Sequence, residues 1–174
     1  EGREVKTKVE GESLDNLFEE YFSDKTKEEK NEIKRKYGIE KSVLEAPKRI
    51  RWVCLDIIKH YREKIQPNGF KAMIVTSSRH SAVMYKSMLD ELNAPSSNVI
   101  ISGDHNDPEE LRKYTDSTEH KKIIKDFKEN NLSESKCHII IVKDMLLTGF
   151  DVPICQVMYL DRKIMDHSLL QAIA

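Results

Sequence analysis

Long apolar runs are missing from this sequence of 174 residues, and no stretch approaches the roughly 20 residues that a membrane-spanning helix requires. Cysteine is scarce: Cys54, Cys137 and Cys155 stand in apolar surroundings without metal-ligand spacing. An odd count of this kind suits a reducing cytoplasm. An excess of either charge is also missing. Lys and Arg total 29 against 30 Asp and Glu, a net charge of −1, so any contact with a polyanion must be local. Neither G-x-x-x-x-G-K-[ST] nor G-x-G-x-x-G occurs, so nothing here cradles a triphosphate unaided. No Ser/His/Asp set or carboxylate pair stands at readable spacing. His105 and His120 lack a partner at metal-ligand spacing, read as surface residues, and no metal site is expected. The polar opening EGREVKTKVEGE is no signal peptide. Together these absences leave a soluble cytoplasmic domain without membrane contact.

What is present suits a packed core, with 39% hydrophobic and 34% charged residues. The chain divides near residue 45. Before it, Leu14, Leu17, Phe18, Tyr21 and Phe22 repeat at helical spacing. The run KTKEEKNEIKRK (residues 25–36) alternates charge, as a solvated helix face or linker does. After Pro47, tolerated in a first turn, Ile50, Val53, Cys54, Ile57, Ile58 and Tyr61 form one apolar stripe, which QPNG (66–69) ends.

Beyond Gly69 the pattern becomes AMIVTS (72–77), NVIIS (98–102), CHIIIV (137–142) and QVMYL (156–160). These runs are too apolar for strands with one wet face and predict parallel strands covered on both sides. Helical patterns at 80–92 and 119–128 separate the first three, and Asp116 with Glu119 resembles a capping box opening the second. The expected fold is α/β, a doubly wound parallel sheet (residues 46–174) behind a helical, charged connector (1–45).

In such sheets the working loops lie beyond the carboxyl ends of the strands. Those loops are SSRHS (77–81), SGDHND (102–107), KDMLLTGFDVP (143–153) and DRK (161–163), all expected on one rim. Ser77, Ser78 and Arg79 open a helix and offer hydroxyls, free N–H groups and a cation to a phosphate. Alternatively, Ser78 simply caps the helix. Gly103-Asp104 reads as a turn. Thr148-Gly149 lets backbone approach a ligand, and Asp151 can accept from a sugar hydroxyl. The plainer alternative is a turn in which Gly149 supplies a positive φ.

IIIVKDMLLTGFDVP followed by MYLDRKIMDHSLLQAIA resembles the end of the second RecA-like motor domain of superfamily 2 helicases. The resemblance is closest to the motor-and-nuclease (R) subunit of type I restriction enzymes. AMIVTSSRHSAV is similar to motif IV of that family, VKDMLLTGFDVP to motif V and SLLQAIA to the opening of motif VI. The resemblance covers about residues 47–174. It implies a P-loop-type, RecA-like fold and a share in ATP-driven movement along double-stranded DNA. It places Gly149, Asp151 and Gln171 at the ATP cleft, and Ser77, Ser78, Lys143 and Thr148, with the neighbouring Arg79, at DNA phosphates. Many helicases carry Thr where Lys143 stands. ATP and Mg would both require the first RecA-like domain of the same subunit, and the methyltransferase and specificity subunits are the implied partners. No complete catalytic set is expected within these residues, so the isolated chain should be inactive, and motif VI should continue into two arginines. The alternatives are another superfamily 2 DNA-repair or RNA helicase half, or a non-catalytic RecA-like docking module.

Overall fold

The computed structural model describes residues 14–147 and 149–162. Four helices come first: α1 (Leu14–Tyr21), α2 (Lys27–Tyr37), α3 (Ile39–Leu44) and α4 (Pro47–His60). The remainder alternates β1 (Lys71–Thr76), α5 (Arg79–Glu91), β2 (Ser97–Ile100), α6 (Glu109–Arg112), α7 (Ser117–Phe127), β3 (Ile139–Val142) and β4 (Cys155–Asp161).

The strands form one sheet in the order β2-β3-β1-β4, and every pairing is parallel. The reason is visible in the side chains. A strand sends alternate residues to opposite faces, and here both sets are apolar. Ala72, Ile74, Val99, Ile139, Ile141, Val157 and Tyr159 pack with the stripe of α4 and with Ala82, Tyr85 and Leu89 of α5. Met73, Val75, Ile100, Ile140 and Val142 pack with Phe127 of α7 and with Val152 and Ile154. Each buried aliphatic side chain contributes about 1.5–3 kcal/mol.

The first three helices close on a smaller core of Leu17, Phe18 and Val43. The charged run 25–36 is helical within α2, which has no buried residue. A reciprocal cap between Thr26 and Glu29 starts it, and Glu19 holds Lys30 and Lys34 from α1. Among the described residues no helix is long and apolar enough to cross a membrane.

Two expectations change. His120 is buried rather than superficial: it lies in the second turn of α7, and its Nε2 sits 2.7 Å from the Tyr114 carbonyl. His105 is exposed. Asp116 caps α7 by accepting from the N–H groups of Thr118 and Glu119, whereas the Glu119 carboxylate turns to Lys122 instead of completing a box.

One buried cation lies at the amino edge of the sheet. Lys71 donates to the carbonyls of Asp126 and Phe127, both at 3.0 Å, and to the Ser135 hydroxyl at 2.7 Å. A lysine there satisfies the free carbonyls of a helix C-terminus. It also marks which edge of the sheet the end of α7 approaches.

Candidate functional site at the carboxyl rim

At the exit of β1, Ser78 is the N-cap of α5. It accepts from the Ser81 N–H at 2.9 Å, while the Ser81 hydroxyl accepts from the Ser78 N–H at 3.0 Å. The Ser78 hydroxyl itself donates to the Glu45 carboxylate at 2.6 Å. Ser77 Oγ stands 3.3 Å from Ser81 Oγ. The capping reading therefore describes Ser78, and a ligand phosphate would share this helix start with Glu45.

Arg79 is committed elsewhere. Its guanidinium donates to the Ser102 carbonyl at 2.9 Å and to the Asp107 carboxylate at 2.5 Å. The bond from Arg79, with the N–H of Asp104, holds the Asp107 carboxyl below the usual carboxylate range. Arg79 is thus also a strut joining α5 to the loop after β2. The Asp107 N–H also closes on the Asp104 carbonyl, so the loop following Gly103 is the expected turn.

At the exit of β3, Lys143 pairs with Asp144 at 2.6 Å. Arg162, just beyond β4, pairs with the other Asp144 oxygen and donates to the Lys143 carbonyl at 3.1 Å. Partial burial opposes the Asp144 charge, but the two cations outweigh it and lower its pKa.

The rest of this loop leaves the rim. A parallel connection from β3 to β4 has to return the full length of the sheet, and the return path is apolar. Met145, Leu146, Leu147, Phe150, Val152 and Ile154 pack on the α7 face. Phe150 stacks on Phe127 with ring centroids 6.2 Å apart, close to the Lys71 edge. Gly149 and Asp151, which flank Phe150, are both exposed. Gly149 adopts φ 68° with open space where a Cβ would lie, and Leu146 also has a positive φ of 65°. The expectation that all four loops share one rim is thus corrected. Ser77, Ser78 and Lys143 stand at the carboxyl end, and Gly149 and Asp151 lie towards the opposite end of the connection. Thr148 and Gln171 fall outside the described residues.

Sequence reasoning missed one cluster altogether. Asp161, the last residue of β4, is gripped by both terminal nitrogens of Arg49 and accepts from the Tyr85 hydroxyl at 2.7 Å. All three side chains are buried. Burial weighs against the Arg49 charge, but Asp161 outweighs it and the guanidinium pKa is raised. The available signal was positional, because Arg49 sits one turn before Val53 on the buried stripe of α4. Among the described residues no group of three His, Cys, Asp or Glu side chains converges to hold a metal ion.

The profile of type I restriction enzyme subunit R domain 3 matches residues 102–174. The chain belongs to the type I restriction enzyme R-subunit family. Similar proteins include the HindI endonuclease subunit of Haemophilus influenzae, 31% identical over 146 residues that cover 78% of this chain. The assigned MjaIXP endonuclease subunit of Methanocaldococcus jannaschii is 37% identical over 150 residues, or 84% of the chain. Each alignment is longer than the profile match, so the kinship reaches upstream of Ser102 into the layer of α4, β1 and α5. The chain spans 14% of the length of each of these two relatives. With the all-parallel, doubly covered sheet, membership in this R-subunit family makes the fold RecA-like.

Proposed function

We propose that this chain acts as the second RecA-like domain of an ATP-dependent DNA-translocating restriction subunit, contributing half of an ATP cleft and part of a DNA-backbone surface. The carrying observation is the separation of Ser77, Ser78 and Lys143 from Gly149 and Asp151, which suits two different ligands better than one shared pocket. Gly149, with positive φ and nothing above it, lets backbone approach a nucleotide, and the exposed Asp151 is placed to accept from a sugar hydroxyl. Gln171 joins this set through the family resemblance, and the phosphate-cradling loop comes from the first RecA-like domain. Magnesium accompanies ATP in this reading. Its protein ligands come in this reading from that other domain.

The DNA set is Ser77, Ser78, Lys143 and Thr148, facing phosphates and not bases. Such contacts position the protein on the duplex without reading sequence. Arg79 supports this surface through Asp107. Sequence recognition, methylation and strand cleavage belong to the methyltransferase and specificity subunits and to other parts of the R subunit.

The decisive experiment uses the intact subunit. Asp151→Ala is expected to lower DNA-stimulated ATP turnover at least about tenfold, while thermal unfolding is unchanged because the side chain is exposed. The isolated chain is expected to hydrolyse no ATP. Motor-like turnover by the isolated chain, or an Asp151→Ala subunit with parental turnover, would overturn the reading.

A further inference from the structure

We infer that Arg49 is a positioning residue for the DNA-facing loop after β3, acting through a relay of side chains across the exit of β4. This rests on the phosphate contact proposed for Lys143. The relay begins where α4, α5 and β4 meet. Arg49 from α4 grips both oxygens of Asp161, and Tyr85 from α5 binds one of them at 2.7 Å. Arg49 and Asp161 are 6% and 9% exposed, and Tyr85 is fully buried.

Stability alone is a poor reason for this arrangement. Desolvating two charges offsets most of their attraction, and apolar residues of similar volume commonly serve a fold as well or better. Geometry is what the cluster supplies. A bidentate fork sets the plane of the carboxylate, and the tyrosine from a second helix fixes its remaining direction. The last residue of β4 is therefore held in one orientation.

The next residue has to point away from that cluster, because successive strand side chains alternate. Arg162 leaves on the opposite side and donates to the Lys143 carbonyl at 3.1 Å and to Asp144. In the strand order β2-β3-β1-β4, β3 and β4 are separated by β1. Two strand spacings amount to about 9.6 Å. No backbone ladder spans that gap, and a long side chain does. Asp144 then completes the relay, since its second oxygen holds the Lys143 ammonium at 2.6 Å.

The position of the Lys143 charge is thus set by Asp144 and Arg162, and that of Arg162 by the clamp on Asp161. Arg49 also donates to the carbonyl of Leu44 at 3.1 Å, so the end of α3 feeds the same relay. The residues preceding the sheet are joined to its DNA-facing side through this guanidinium, besides the hydrogen bond between Glu45 and Ser78.

The test measures binding of a random-sequence DNA duplex by the intact subunit over a salt series. Removing either buried charge alone strands the other, so the informative variant is Arg49→Met with Asp161→Leu, which removes both. It is expected to fold with a modestly lowered thermal midpoint, because the buried Tyr85 hydroxyl loses its acceptor. Its salt slope should fall by about one unit, the loss expected for Lys143→Ala alone. Adding Lys143→Ala to that variant should change nothing further. Arg162→Met, on a partly exposed side chain, should give the same loss with the clamp intact, and carries the test if the double variant does not fold. A parental slope in the folded double variant, or in Arg162→Met where the double variant does not fold, would show that Arg49 is only structural. A parental slope in Lys143→Ala would instead remove the underlying phosphate contact, and the inference with it.

Discussion

Glu45 places a carboxylate oxygen 2.6 Å from the hydroxyl of Ser78, at the first turn of α5. The start of the helix that faces DNA in the proposed reading therefore already holds an anion belonging to the chain. A carboxylate at a helix N-terminus is stabilised by about 0.3–1 kcal/mol, and it repels an incoming phosphate.

Glu45→Gln should keep the hydrogen bond and remove the repulsion. Duplex affinity of the intact subunit is expected to rise about two- to fivefold at low salt, an effect on the order of 0.5–1 kcal/mol. The gain should shrink as salt screens the charge. A salt-independent gain, or none, would place the DNA path away from Ser78.

Ser97 begins β2 with its hydroxyl buried and no hydrogen-bond partner among the described residues. Leaving such a group unsatisfied costs about 1–3 kcal/mol, and an apolar replacement recovers part of that. Ser97→Ala is expected to raise the urea midpoint without changing the denaturant slope. Ser97→Val should gain less, because a strand sealed on both faces has little room. A destabilised Ser97→Ala protein would show that the hydroxyl is satisfied in solution.

Gly149→Ala isolates backbone strain from packing, because no described atom beyond its chain neighbours lies within 4 Å of the Cβ it would add. The expected cost is about 1 kcal/mol, the usual penalty of a left-handed conformation for a residue with a side chain. Gly149→Asn should cost less. A loss well above 2 kcal/mol in thermal unfolding would mean that the loop packs more tightly than its open geometry indicates.

Alkaline pH should weaken the fold in a defined window. Burial pushes the thiols of Cys54 and Cys155 up to about 12 and that of Cys137 up to about 11. Burial likewise raises Tyr85 well above its ordinary value. These pKa values are higher in the fold than in the unfolded chain, so their contribution is complete below the ordinary thiol value of about 8.5. It is lost as pH climbs towards the folded values. Lys71 acts in the opposite sense, since burial lowers its pKa and its contribution grows up to about pH 10.4. One lysine against three thiols leaves a net decline. Unfolding free energy should fall from about pH 8.5 upward, and Cys155→Ala should make the decline shallower. A flat profile to pH 11 would contradict the burial of these thiols.

The order and type of the principal elements were legible in the sequence because they follow local pattern. Four short Val- and Ile-rich runs between helical stretches imply parallel strands sealed on both faces, and those strands lie within one or two residues of the runs. Family membership was legible too, since it rides on contiguous phrases such as VKDMLLTGFDVP. The positive φ of Gly149 could be anticipated because glycine advertises it, whereas that of Leu146 has no sequence mark. Only the tertiary structure decided the partners of charged residues. Arg49 and Asp161 are separated by 112 positions and each, read alone, resembles an ordinary solvated charge. The pairing of Arg79 with Asp107 at 2.5 Å has no mark in the sequence, and His120 looked superficial until α7 turned it towards Tyr114. The return of the loop after β3 across the α7 face likewise depends on the length and order of the assembled strands. Hydrophobic periodicity is recorded every two to four residues along a chain, but a buried ion pair exists only where the fold brings distant charges out of water together.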